Sequence, residues 1–183
     1  MDKKEIRKQI LAKRRELSDS EVHETSLIIC NNIRKSKAYK NASDICLYMP
    51  INNEVDVAIM VDGVLSDGKK AWLPRVHGDE MDFYHYDKDT PVIIGAYNIT
   101  EPDSDIVLEP DDKTLIVMPG AVFSIERDRI GYGGGFYDKY LDKHSEVKTI
   151  AACFDFQILD SIPSEEHDIK PLAVISEKRI IEE

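Results

Sequence analysis

Four glycines fall within five residues, at Gly131, Gly133, Gly134 and Gly135, with Arg127 and Arg129 just before them and Phe136, Tyr137 and Asp138 just after. Such a cluster is costly in backbone entropy. Chains keep it where the backbone must take unusual dihedrals or let a ligand approach closely. Exposed N–H groups in a loop of this kind, leading into a helix N-terminus, make a seat for an anion. The upstream arginines add planar forks that match phosphate oxygens. The chemistry indicated is therefore the holding of phosphate groups. The loop is not the G-x-x-x-x-G-K-[ST] type, and it is not the dinucleotide fingerprint, because Phe136 stands where the third glycine is required. Glycine spacing alone also fits a plain flexible turn, but the arginine before and the Phe-Tyr-Asp after weigh against that.

Elements on both sides must position this loop. Residues 3–17 read as an amphipathic helix with Ile6, Ile10, Leu11 and Leu17 near one face. Ser18-x-x-Glu21 has the form of a capping box and predicts a second helix to about Lys35, with Val22, Ile29 and Ile33 in its apolar stripe. Residues 44–49 form a short apolar run ended by Pro50, a buried strand. A turn at 50–53 leads to Glu54 and a helix through about Leu65, which Ser66-Asp67-Gly68 stops. Strands are expected at 71–73, 81–86, 114–118, 147–154 and 172–175. The glycine loop should open a helix to about His144. Residues 87–112 carry four prolines and glycines in the pattern Pro91, Gly95, Pro102, Pro110 and read as mostly irregular. Strands separated by helices predict an α/β fold with a largely parallel sheet.

Composition narrows the functional classes. The 183 residues are 42% hydrophobic and 32% charged, an ordinary globular mix. The formal net charge of -11 argues against broad nucleic-acid binding, which needs a basic footprint. It does not exclude an anionic substrate, since a local group of cations can hold phosphate in an acidic protein. Residues 3–15 supply such a group, with seven Lys or Arg and one Glu. Cys30, Cys46 and Cys153 form no C-x-x-C pair, so zinc and dithiol chemistry are not indicated, and buried reduced thiols in a cytoplasmic protein are expected. The N-terminus lacks the apolar core of a secretory signal, and no apolar run reaches the length of a membrane span.

The sequence RIGYGGGFYDKYL at 129–141 closely resembles the signature of the 5-formyltetrahydrofolate cyclo-ligase family, also called 5,10-methenyltetrahydrofolate synthetases. Weaker matches follow in the family's order. They are the basic start from Lys3 to Arg7, Tyr48-Met49-Pro50 to Glu54, Leu73-Pro74-Arg75, Met81, Glu101-Pro102, Met118-Pro119-Gly120 and the late stretch from Pro163 to Asp168. The resemblance implies one domain over residues 1–183, a three-layer α/β sandwich around a mainly parallel sheet of the NagB/RpiA/CoA-transferase kind. It also implies ATP-driven, Mg2+-dependent closure of 5-formyltetrahydrofolate to 5,10-methenyltetrahydrofolate, with ADP and phosphate released. The partners expected are the folate and ATP, without nucleic acid or membrane, and the chain is expected to be monomeric.

Matching the family's motif residue by residue implies ATP contacts at Lys3, Lys4, Arg7, Arg129, Ile130, Gly131, Tyr132, Gly133, Gly134, Gly135, Phe136 and Tyr137. Arg129 and Tyr137 are the implied catalytic groups, and Asp138 and Asp168 the implied Mg2+ ligands. His167 reads as a surface neighbour. Glu54 resembles the pterin-binding acid, because a carboxylate can accept a pair of hydrogen bonds from a pterin's amino group and ring N–H. Met49, Trp72, Pro74, Met81 and Tyr97 are implied walls of the folate pocket, Tyr97 foremost. Two positions depart from common family patterns: Phe136 stands where a first tyrosine is usual, and Tyr132 where some members carry a charge. Two other readings remain open at this point. One is a non-catalytic relative that binds a nucleotide or RNA, and the other an enzyme on the same scaffold acting on sugar phosphates or CoA esters.

Overall fold

The computed structural model describes residues 2–165 and 168–183. Helix α1 (Lys3–Arg15) starts behind Asp2, whose carboxylate accepts the Glu5 N–H at 2.8 Å. Helix α2 (Asp19–Lys35) opens on the reciprocal Ser18–Glu21 capping box that the sequence predicts. There follow α3 (Lys37–Asn41), β1 (Asp44–Cys46), α4 (Val61–Ser66), β2 (Lys70–His77) and β3 (Glu80–Tyr86). A hairpin of β4 (Val92–Ile94) and β5 (Thr100–Pro102) precedes the central strand β6 (Thr114–Met118). Next come β7 (Val122–Ser124), β8 (Arg129–Ile130), α5 (Phe136–Lys143), β9 (Lys148–Ala152), β10 (Ile158–Leu159), β11 (Ala173–Ile175) and β12 (Ile180–Glu182).

Seven strands form one mixed sheet in the order β12-β11-β9-β6-β1-β2-β3. The inner five run parallel, and β12 and β3 close the edges antiparallel. Period-two alternation sends neighbouring side chains to opposite faces. Ile45, Leu47, Ala71, Leu73, Leu115, Val117, Ile150 and Ala152 pack under α2, α3 and α4. Cys46, Trp72, Ile116 and Met118 face the other way and meet Tyr140 and Leu141 of α5. Beside α5 on that second face lies a small sheet of β10-β7-β8, and Ile6 of α1 packs on Val122 and Ile130 of it. The expected α/β fold with its parallel centre is thus present.

One sequence expectation needs correction, and two features went unread. The helix expected from Glu54 begins later, as a short 3-10 turn at Val57–Met60 behind Asp56, whose side chain accepts the Ala58 N–H. Glu54 therefore lies in the turn before it. Residues 87–112 are mostly irregular as expected, apart from a short turn and the pairing of β4 with β5; all three β4 side chains are exposed, so no alternation marked the strand. The β7, β8 and β10 pieces are two or three residues long, too short to carry a readable period.

Candidate active site

In an open parallel sheet, ligands sit outside the carboxyl ends of the strands where the strand order reverses. Here β1 connects onward to β2 on one side, whereas β6 lies on its other side, so the reversal falls between β1 and β6. The segments leaving those ends are 47–54 and Pro119-Gly120. The glycine loop joins them: the Tyr132 hydroxyl donates to the Gly120 carbonyl at 3.3 Å.

Strand β8 fixes the loop's start by burying Ile130 against Ile6. Gly133 and Gly135 take φ of +100° and +67°, a region L side chains rarely adopt. Gly135 is the residue from which α5 begins, so the turn into that helix depends on it. From α1, the Arg7 guanidinium donates to the Gly131 carbonyl at 3.2 Å. Arg129, whose side chain is 9% exposed, pairs with Asp138 at 2.7 Å in the first turn of α5. Lys3 pairs with Asp168 at 3.2 Å and with Glu165 at 3.1 Å. Lys4 is exposed. The two implied metal ligands are thus each held by a cation that the resemblance assigns to phosphate. Loading a phosphate with its cation would exchange these partners, carboxylate to metal and guanidinium or ammonium to phosphate.

Among the described residues no group of three or more His, Cys, Asp or Glu is placed to hold a metal. Asp138 and Asp168 offer one carboxylate each, and Mg2+ takes one or two carboxylates and fills its remaining positions with phosphate oxygens and water. His167 lies outside the described residues.

The turn at 50–53 carries the acid. Asn52 and Asn53 have positive φ, which asparagine tolerates better than most residues. The Asn53 amide donates to the Arg14 and Leu17 carbonyls at the end of α1, at 3.3 and 2.9 Å. In return, Arg14 donates from Nε to the Asn52 carbonyl at 3.0 Å and from Nη1 to the Tyr132 hydroxyl at 2.6 Å. Arg14 is 1% exposed. Glu54 is buried and accepts the Ile51 N–H at 2.9 Å. Burial raises its pKa, opposed by Tyr132, the Ile51 N–H and the Arg14 charge. Burial and then the Glu54 charge push the Tyr132 and Tyr137 phenols up, so both stay protonated.

The hairpin brings an aromatic to the same rim. Gly95 sits where a Cβ would lie 2.0 Å from the Glu101 carboxyl carbon, and Glu101 accepts the Val76 N–H at 3.1 Å. These contacts and the Arg75 bonds to the Pro102 and Ser104 carbonyls tie the hairpin to the end of β2. Tyr97 projects from it, 71% exposed, with its ring edge-to-face on Phe136 at 6.0 Å. Phe136 thus has an aromatic neighbour for its ring where a hydroxyl is usual. Met49 and Pro74 are half-buried near the carboxyl ends of β1 and β2, and Met81 is buried on β3 in the cluster under α5. Trp72 is a correction. It is buried in the core under α5, and its indole N–H is spent on Asp44 at the amino end of β1, 2.9 Å away. The ring therefore faces the end of the sheet opposite the crevice.

Sequence reasoning missed Arg14, which looked like one charge in a basic run; its position four residues before the Ser18 cap was the available signal, placing it in the last turn of α1. It also missed the pairing of Gln157 with the Gly120 and Ala121 carbonyls at 3.0 and 2.9 Å, which stiffens the floor of the crevice. Cavities of 380 and 470 Å³ lie elsewhere, the first at the amino ends of β6 and β9 and the second beside α3. Neither borders the glycine loop.

A model of the 5-formyltetrahydrofolate cyclo-ligase family matches residues 1–177. The chain is 29% identical over 189 residues to the 5-formyltetrahydrofolate cyclo-ligase of Mus musculus, covering 96% of this chain and 93% of that one. It is 27% identical over 183 residues to a probable 5-formyltetrahydrofolate cyclo-ligase of Schizosaccharomyces pombe, covering 90% of each. Its fold is similar to the solved 5,10-methenyltetrahydrofolate synthetase of Aquifex aeolicus, with a TM-score of 0.87 and 32% identity over 100% of this chain and 93% of that one. The synthetase from Mycoplasma pneumoniae follows at a TM-score of 0.77 and 25% identity, covering 97% of this chain and 99% of that one.

Proposed function

The chain belongs to the 5-formyltetrahydrofolate cyclo-ligase family, and from that membership and the site's geometry we propose that it closes 5-formyltetrahydrofolate to 5,10-methenyltetrahydrofolate at the expense of ATP. The observation that carries the reading is the convergence of the glycine loop and the buried Glu54 turn on one crevice, joined through Tyr132.

A formamide oxygen is a poor leaving group. In this reading the formyl oxygen attacks the γ-phosphorus of ATP, the bond to ADP breaks, and the carbon becomes an iminium phosphate. The substrate's N10 then attacks that carbon and gives up its proton, and the C–O bond breaks to release inorganic phosphate, which carries the former formyl oxygen and takes up that proton. No protein nucleophile is needed, so the chain's work is positioning and charge stabilisation. The loop amides, Arg7 and Arg129 hold the phosphates, with Lys3 beside them. Tyr137, kept protonated, offers a donor next to the loop. Glu54, as a carboxylate, accepts the pterin's amino group and ring N–H. Tyr97 and Phe136 supply flat surface at the rim, with Met49 and Pro74 lining the approach. Mg2+ bound by Asp138 and Asp168 would neutralise charge on the transferring phosphate.

The three buried cysteines suit a reducing compartment, and the chain is read as a cytoplasmic, monomeric, single-domain enzyme in a NagB/RpiA-like sandwich. The mechanism is tested by substrate carrying a heavy oxygen isotope in the formyl group. Mass analysis should find the label in the released phosphate. Label remaining in water or in the folate would contradict phosphoryl transfer to the formyl oxygen.

A further inference from the structure

Among the described residues Arg14 is the largest wholly buried side chain, and it reaches the glycine loop through Tyr132. A buried guanidinium is expensive unless its donors are satisfied. Here Nε and Nη1 are spent on two functional segments: the Asn52 carbonyl in the acid's turn and the Tyr132 hydroxyl in the glycine loop, at 3.0 and 2.6 Å. Its own carbonyl is held by Asn53, so the turn grips α1 from both sides. Tyr132 is 39% exposed, and its hydroxyl is lodged between Arg14 and the Gly120 carbonyl.

We propose that Arg14 is a positioning residue that acts through the Tyr132 hydroxyl to lock the glycine loop to the Glu54 turn, fixing the folate acid relative to the phosphate seat. The inference rests on the reading of Glu54 as the acid that binds the pterin. It also gives Tyr132 a role that a charged residue at that position would fill differently. The charge stays on Arg14 of α1, and the tyrosine ties it to the loop by accepting its N–H at 2.6 Å.

The groups facing Glu54 are Arg14 from α1, Tyr48 from the segment after β1, Tyr132 from the loop and Tyr137 from α5. Burial holds all three phenols protonated, which leaves Arg14 as the cation that favours the Glu54 carboxylate. The Tyr132 hydroxyl favours it too. Folate binding that needs an ionised Glu54 weakens as pH falls through that residue's pKa. Removing either favourable influence must move this acid limb to higher pH.

The experiment is the pH profile of the folate KM at saturating ATP and Mg2+ for wild type, Tyr132→Phe, Arg14→Met and Arg14→Lys, with melting curves alongside. The limb should move up by about one pH unit in Tyr132→Phe and in Arg14→Met. Arg14→Lys, which keeps the charge and loses the fork, should restore most of the limb while leaving KM raised. A merely structural role would lower the melting temperature and kcat equally at every pH and leave the limb in place. That outcome in Tyr132→Phe overturns the proposal, and this conservative variant decides the matter if Arg14→Met does not fold. Failure of the wild-type protein to bind 5-formyltetrahydrofolate would instead bring down the reading of Glu54, and the proposal with it.

Discussion

Asp138 and Glu54 are both carboxylates in opposite surroundings, and the proposal gives them different work. Asp138 is 52% exposed on its side chain and held by Arg129 in the first turn of α5, where the helix dipole favours an anion. The Asp138 end of the pair is open to solvent, which screens it, and an asparagine keeps an acceptor for Arg129, so Asp138→Asn should stay folded. It should lose at least about 100-fold in Mg2+-dependent turnover, read from initial rates against Mg2+ concentration. Turnover near the wild-type rate at saturating Mg2+ would remove it from the metal site. Glu54 is buried, and its value lies in what it accepts. Glu54→Gln should raise the folate KM about 10- to 100-fold, the loss of charge-assisted hydrogen bonds, while calorimetry shows ATP binding intact. Unchanged folate KM would contradict the assignment. The motif around Asp138 was legible because type and spacing sit together in the sequence. Arg14 and Tyr132 were not, because their contact joins residues 118 apart and depends on how α1 crosses the loop. Trp72 misled for a related reason: its type suits a ligand wall, but its strand register turns it into the core.

At the scale of elements, the site is made by a loop, a turn and a hairpin hung on the carboxyl ends of three strands. The glycines divide by function. A Cβ on Gly133 meets only open space and the tip of Arg7 at 3.8 Å, so its φ of +100° is the whole reason for glycine there. Gly133→Ala should therefore cost about 1–2 kcal/mol in stability through backbone strain. It should also raise the ATP KM, because relief of that strain turns loop amides away from the phosphates. Denaturant melts and ATP titration check the two effects, and an unshifted ATP KM would show that the loop's shape is not what holds the nucleotide. The capping box of α2 and the strand β6 were readable from local pattern. The hairpin was not, since β4 is exposed on every residue and is held by tertiary contacts, Glu101 to the Val76 amide and Arg75 to the Pro102 carbonyl. The start of the helix after Glu54 was misplaced because two asparagines in left-handed conformations and the Asp56 cap delay it.

For the whole molecule, net charge of -11 is compatible with the proposed anion chemistry because cations are grouped on α1 and before α5. Acidic groups elsewhere do structural work. Asp155 is pulled up by burial, but Arg179 at 2.7 Å and Ser176 pull it down further, and its pKa ends below the ordinary aspartate value. A depressed carboxylate contributes stability above its unfolded pKa of 3.8 and loses it as pH falls through the folded value. Asp155→Asn should therefore melt earlier than wild type at neutral pH, and the gap should close as pH drops below 3.8. A gap that persists in acid would mean packing, and not charge, accounts for it. At this scale the class of fold was legible, since alternating strands and helices prescribe a parallel sheet and the sheet prescribes a crevice at its strand reversal. That the crevice closes a folate ring is the claim on which the rest stands. Its most direct measurement is the appearance of methenyl absorbance when the purified protein is mixed with 5-formyltetrahydrofolate, ATP and Mg2+. Product should form only when all three are present, with one ADP released per methenyl group formed. Folded protein that yields no methenyl product under those conditions would contradict it.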